Sequence, residues 1–314
     1  MTASGSIAAV RWNASHSVVG APEGVFESVT QPRLVPEYVA GMGIAISDLT
    51  PVEQTAFVSQ YARAVDSRWP RPILGDTLAD DIVAKIDYDF DGLGVPASAI
   101  RQTALRAKLL DDRVRRFIGE HPDAVVVDLG AGLATPMQRV APPSAVDWYN
   151  VDLPNVIALR EQVVPADDHA HSVAASLADD SWSDQIPSDR PTMLIADGLL
   201  AFVSEAVLVN LFRHIPEHFG SGEVAINDYG RVSSLNIAAM KIGFSAVGKQ
   251  WNYRGFDDPH VPERWSPRLR LVEETSLAHV PEIDLYPTVA RVSTRLMGKT
   301  RSGARSARIL RYRF

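Results

Sequence analysis

Apolar positions recur three and four residues apart from Pro51 to Glu120, then give way to short β-branched runs separated by helical stretches. Phe57, Tyr61, Ala64 and Val65 form the first helical stripe, with Thr50 as its cap, Pro51 at the first helical position and Glu53 in the first turn. Leu78, Ile82, Val83 and Ile86 form a second stripe after Asp76. Ile100, Leu105, Leu109, Val114, Phe117 and Ile118 predict a third helix over about 98–120, which His121-Pro122-Asp123 ends. Strands are predicted at 124–129, 146–151, 170–175, 192–197 and 222–228, with helices near 155–163 and 204–218. This alternation predicts an α/β fold with a doubly wound, mostly parallel sheet. Two late runs, 269–279 and 307–314, predict an antiparallel hairpin that closes the sheet.

Two segments break the pattern. Residues 1–50 show little periodicity and are punctuated by Pro22, Pro32 and Pro36, so they are read as an arm or irregular cap, with a partner subunit as one surface for it to pack on. Residues 232–266 interrupt the alternation with Trp251, Tyr253, Phe256 and Trp265, and are read as an aromatic-rich helical insertion. The remainder divides into N-terminal helices (51–121), a core (122–231) and closing strands (267–314).

Composition narrows the class. The chain has 314 residues, 46% hydrophobic and 22% charged, an ordinary globular balance. A net charge of −7 disfavours a nucleic-acid partner. Without cysteine there is no disulfide, thiolate metal site or cysteine nucleophile. Met1 to Ser6 lack the basic start and apolar run of a signal peptide, and no apolar stretch is long enough to span a bilayer. The expectation is a cytoplasmic protein with a small-molecule partner, no nucleic-acid or membrane partner, and possible homodimerisation.

The chemistry concentrates at Val125-Val126-Val127-Asp128-Leu129-Gly130-Ala131-Gly132 and at Asp152, twenty residues beyond Gly132. A buried strand, a glycine turn that admits a ligand to the backbone, and an acid at the tip of the next strand form a nucleotide-binding crevice, with the acid on the ribose hydroxyls. The pyrophosphate version of this motif needs Gly or Ala at its third position, but Thr135 stands there and Pro136 follows. S-adenosylmethionine carries no phosphate and needs only the close backbone approach and the ribose acid. It is therefore favoured over NAD(P), and an oxidoreductase is disfavoured.

Several further runs stand in a recognisable order. They are Tyr61-Ala62-Arg63-Ala64, Asp66-Ser67-Arg68, Pro72-Ile73-Leu74-Gly75-Asp76, Leu105-Arg106-Ala107-Lys108, Trp148-Tyr149-Asn150-Val151-Asp152-Leu153-Pro154 and Asp197-Gly198-Leu199-Leu200. With them the chain resembles, over about residues 50–314, the leucine carboxyl methyltransferase superfamily, in its branch of bacterial polyketide (tetracenomycin-type) O-methyltransferases. The resemblance implies a class I S-adenosylmethionine-dependent methyltransferase fold with a Rossmann-like seven-stranded sheet. It also implies transfer of a methyl group to a carboxyl or hydroxyl of a small molecule in secondary metabolism.

By the same resemblance Arg106 grips the methionine carboxylate, with Arg63 as a second contact. Gly130, Ala131 and Gly132 line the methionine and ribose, Asp152 and Leu153 bind the ribose, Ser176 and Leu177 flank the adenine, and Asp197 and Gly198 stand near the cofactor amine. Tyr61, Phe202, Tyr229, Trp251 and Tyr253 are the acceptor candidates, and the aromatic insertion of 232–266 reads either as simple core or as a lid over an apolar acceptor. The chain departs from the family at Ala134 and Pro136, where an acid and a base are usual, at Asp197, usually Glu, and at Phe202, usually Tyr. Loss of the pair at 134 and 136 removes a structural ion pair. These departures motivate an alternative in which the fold binds the cofactor without transferring methyl, as a cyclase or ligand-binding protein.

Other motifs are weaker. His214 and His218 lack the further ligands of a metal site, His169 and His171 read as surface residues, and no metal is expected. Gly243-Phe244-Ser245-Ala246-Val247 lacks the second glycine of a nucleophile elbow. Residues 291–314 carry eight Lys or Arg and no acid, which predicts a solvated loop and a charge-protected edge strand. No residue stands out as a general base. That favours an acceptor that is already an anion at pH 7, such as a carboxylate or an acidified phenol.

Overall fold

A computed structural model describes residues 49–231 and 250–314. Three helices come first: α1 (Thr55–Arg68), α2 (Thr77–Lys85) and α3 (Ala97–Glu120). Then follow β1 (Val125–Leu129), α4 (Pro136–Val140), β2 (Asp147–Asp152), α5 (Pro154–Val163), β3 (Ala170–Ala174), β4 (Thr192–Ala196), α6 (Glu205–His218) and β5 (Gly222–Asp228). The last part holds α7 (Val261–Trp265), β6 (Arg270–Ser276), α8 (Thr288–Gly298), α9 (Arg301–Ala304) and β7 (Arg308–Arg313).

Local chemistry explains the helix starts. α1 starts later than expected, at Thr55 with Gln54 as its N-cap, so Pro51 is not its first residue and Thr50 not its cap. Instead Thr50 and Glu53 form a reciprocal box in the preceding turn, the Thr50 amide donating to Glu53 Oε2 (2.6 Å) and the Glu53 amide to Thr50 Oγ1 (3.4 Å). Asp76 caps α2 by accepting from the Ala79 amide at 3.2 Å. Buried Asp66 accepts from the Ile73, Leu74 and Gly75 amides and from Arg101 Nη1. It thereby folds the Pro72–Asp76 run back onto α1.

The seven strands run in the order β3-β2-β1-β4-β5-β7-β6. Five are parallel neighbours, and β7 is antiparallel to both β5 and β6. Both sheet faces are covered, so β1 is buried at every position. Val125, Val127 and Leu129 pack on one face with Leu208, Phe212 and Trp182, while Val126 packs on the other with Leu105, Val114 and Trp148. The strand order reverses between β1 and β4, which opens a crevice beyond their C-terminal ends.

The closing strands differ from the expected hairpin. They pair as expected, but the short helical segments of residues 277–304 separate them and β7 inserts between β5 and β6. β7 is therefore not a charge-protected edge. Arg311 pairs with Glu223 and Glu273, and buried Arg308 with Asp228 and Glu274, so much of the basic run forms cross-strand ion pairs. The arm of 1–50 lies outside the described residues except for Leu49 and Thr50, as does the insertion up to residue 249. Among the described residues, no helix is long and apolar enough to cross a membrane.

Candidate active site

At the crevice lies a cavity of about 460 Å3 walled by the ends of β1, β2, β4 and β5 and by α1, α3 and the start of α6. Gly130 and Gly132 take left-handed backbone angles, φ +68° and +52°. A Cβ on Gly130 would lie 2.9 Å from Leu199 Cδ1, and one on Gly132 would lie 3.3 Å from the Ala56 Cβ of α1. The glycines thus serve a tight turn and close approach of neighbouring chain.

Asp152 is locked onto this turn. Its Oδ2 accepts from the Gly132 amide and its Oδ1 from the Leu153 amide, both at 2.7 Å. Burial raises its pKa against the lowering effect of those two amides. Glu53, read from the sequence only as a first-turn acid, also lines the cavity. Its charge adds to the rise in the Asp152 pKa, giving this end a negative field.

The opposite end is built from charges. Arg106 Nε pairs with Asp197 Oδ1 at 2.8 Å, its Nη1 bonds the Tyr229 hydroxyl, and its guanidinium lies 5.6 Å from the Tyr229 ring centre. Burial opposes the Arg106 charge, but Asp197 and Tyr229 outweigh it and hold the guanidinium above its ordinary pKa. Arg63 Nη1 lies 3.7 Å from Asp197 Oδ2, and burial lowers the Arg63 pKa despite Asp197. Two buried atoms here, Arg63 Nε and Asp197 Oδ2, have no hydrogen-bond partner. Asp197, one methylene shorter than the usual Glu, still reaches Arg106.

A buried charge network stands beside Ala134 and Pro136. Arg139 of α4 pairs with Asp76 at 2.6 Å and with Asp111 at 2.7 Å, and Thr135 Oγ1 bonds Asp76 at 3.1 Å. Pro136 begins α4, where its missing N–H does no harm. Arg160 of α5 donates to the Gly132 and Ala134 carbonyls at 3.0 and 2.6 Å, pinning the glycine turn from behind. Asp128 lines the cavity, and burial raises its pKa to about 7 even with Arg160 nearby. The sequence held a signal for it, since an acid inside an otherwise β-branched strand needs a reason.

Of the residues expected at the site, Arg63, Arg106, Gly130, Ala131, Gly132, Asp152, Leu153, Ser176, Leu177, Asp197, Gly198, Phe202, Tyr229 and Trp251 all line this cavity. Tyr61 and Tyr253 do not. Tyr61 turns away to bond Asp91 Oδ1 at 2.6 Å and stacks on Phe90. Tyr253 is buried in the core with Phe256, beside Trp265. Tyr253, Phe256 and Trp265 therefore belong to the core, and among the described aromatics of this segment Trp251 alone reaches the cavity. Trp251 lies 5.2 Å from the Tyr229 ring centre. His214 is engaged with Ser183 at 2.7 Å, and no cluster among the described residues could hold a metal.

The cavity suits a ligand with an amino-acid zwitterion at one end and a sugar at the other. The free atoms of Arg63 and Asp197 match a carboxylate and an ammonium, and the remaining lone pairs of Asp152 match hydroxyls. S-adenosylmethionine has this form.

The leucine carboxyl methyltransferase family model matches residues 56–216. The tetracenomycin polyketide synthesis O-methyltransferase TcmP of Streptomyces glaucescens is 34% identical over 233 residues, covering 74% of this chain and 86% of that one. The S-adenosyl-L-methionine-dependent methyltransferase dpfgK of Gibberella zeae is 27% identical over 251 residues, 74% of this chain and 84% of its own. Among solved structures, a DUF574 family protein from Streptomyces avermitilis aligns with a TM-score of 0.49 at 17% identity, covering 82% of this chain and 96% of that one. The chain belongs to the leucine carboxyl methyltransferase family and is an S-adenosylmethionine-dependent methyltransferase.

Proposed function

We propose that the enzyme methylates an oxygen, a carboxylate or an acidified phenol, on an apolar small molecule of polyketide-like secondary metabolism. The observation that carries this reading is the composition of the acceptor half of the cavity. Phe202, Val203, Val207 and Trp251 wall it, and among the described residues no His or Lys lines the cavity to take a proton from a neutral alcohol. A carboxylate needs no such base. The TcmP relative, which acts in tetracenomycin polyketide synthesis, supports the same class.

Bound S-adenosylmethionine would supply an activated methyl group on its sulfonium sulfur. In this reading Arg63 and Arg106 hold the methionine carboxylate, Asp197 the ammonium, Asp152 and Leu153 the ribose, and Ser176 and Leu177 the adenine. Asp197 also keeps the Arg106 guanidinium oriented. Phe202, Val207 and Trp251 exclude water from the acceptor oxygen, which strips its solvation and aligns it for in-line attack. Tyr229, whose hydroxyl oxygen accepts a hydrogen bond from Arg106 Nη1, keeps its own O–H free to donate to the acceptor.

The test is turnover of S-adenosylmethionine with a panel of polycyclic aromatic acids, phenols and alcohols, followed by mass spectrometry. Methyl esters or aryl ethers are expected, with alkyl alcohols inert. Cofactor binding with no methylated product from any acid or phenol would favour the repurposed-fold alternative.

A further inference from the structure

α8 is amphipathic with its faces reversed. An ordinary surface helix turns its apolar stripe inward. Here Val289, Val292 and Leu296, at helical spacing, are 78%, 55% and 62% exposed, and Met297 is 51% exposed. The inward side is small and polar instead: Ala290 and Thr294 are half-buried and Gly298 is buried. A Cβ on Gly298 would lie 2.8 Å from Ala278 Cβ, so the glycine lets the helix sit tightly on the 277–279 turn. His279 Nε2 fixes that contact at 2.9 Å from the Gly298 carbonyl. Core packing therefore does not explain the apolar stripe.

The charge around the stripe is positive within a chain of net charge −7. Arg291, Lys299 and Arg301 make no ion pair among the described residues, while Arg295 pairs with Asp284. No acid follows Asp284 to the C-terminus. A second copy laid on this stripe would bring the basic flanks together. The four side chains also expose only about half of the roughly 800 Å2 per partner that a stable interface needs. The stripe is aliphatic, without the aromatic anchors that centre protein interfaces.

We propose that α8 docks this enzyme on an anionic lipid surface, with the Val289–Val292–Leu296 stripe in the acyl boundary and Arg291, Lys299 and Arg301 at the headgroups. An amphipathic helix with a basic flank lies in the interface plane, and binds by apolar burial plus attraction to anionic lipid. The attachment is peripheral and needs no spanning helix. It is independent of the acceptor's identity.

The test is flotation of the full chain with phosphatidylcholine vesicles made with and without phosphatidylglycerol. Partitioning should be at least about tenfold stronger on the anionic vesicles, and should weaken when salt rises from about 0.1 to about 1 M and shrinks the Debye length from about 10 to about 3 Å. The double variant Val292→Asp/Leu296→Asp should lose at least about tenfold in partitioning, with S-adenosylmethionine binding unchanged as proof of folding. Equal partitioning by this variant overturns the proposal. So does a wild-type dimer in sedimentation that the variant makes monomeric, because a second copy then covers the stripe. Failure to bind anionic vesicles also overturns it, and points to an acidic protein surface.

Discussion

The Asp152 carboxylate holds the Gly132 amide at 2.7 Å, tying the tip of β2 to the turn after β1. Asp152, proposed as the ribose acid, is thus held in place by the turn it supports. Asp152→Ala should weaken S-adenosylmethionine binding by about 1–3 kcal/mol, since a charged acceptor is lost and the Gly132 and Leu153 amides lose their partner. Calorimetry with the cofactor and its demethylated product measures this, and an unchanged dissociation constant would reject the ribose role.

Arg139 bridges Asp76 of the helical cap and Asp111 of α3, and both acids are almost fully buried. Arg139→Met should destabilise the fold by about 3–5 kcal/mol, because two buried carboxylates lose their cation. Urea unfolding measures the loss. A change below about 1 kcal/mol would mean that the pair is no better than a surface one.

Asp128 supplies a pH signature. Burial holds its carboxyl at about 7, so the folded chain keeps a proton that the unfolded chain has already released. Its share of the stability is therefore greatest below about pH 4 and falls as pH rises to about 7. Asp128→Asn should remove this slope. Unfolding free energies of the two proteins at about pH 5 and pH 8 provide the check, and a wild type that gains on Asp128→Asn as pH rises would contradict it.

Trp251 and Tyr253 are neighbours in sequence with opposite duties. Trp251→Ala should raise the acceptor KM at least about tenfold, the worth of burying one apolar side chain, while cofactor affinity stays the same. Tyr253→Ala should instead destabilise the protein by about 3 kcal/mol or more and leave the acceptor KM of the folded fraction unchanged. Steady-state kinetics and thermal unfolding of both variants separate the two roles.

The sequence by itself determined the alternation of strand and helix, the glycine turn and the acid at the tip of β2. All of these are local: Val125–Leu129 is apolar at every position but Asp128 because both faces of the sheet are covered, and Asp76 marks the start of α2 through a short-range bond. The runs around Asp66, Arg106 and Asp152 also carried the family, because each bonds to chain within or near the site. Only the tertiary structure decided that Arg139 joins Asp76 and Asp111, since both are distant in sequence from it. It separated Trp251 from Tyr253 and turned Tyr61 away from the cavity, because aromatic type does not say which side of a loop faces the ligand. It placed β7 between β5 and β6, where its arginines meet acids from other strands. It also turned the apolar face of α8 outward. Periodicity shows that a helix has two faces, and only packing shows which of them meets the core.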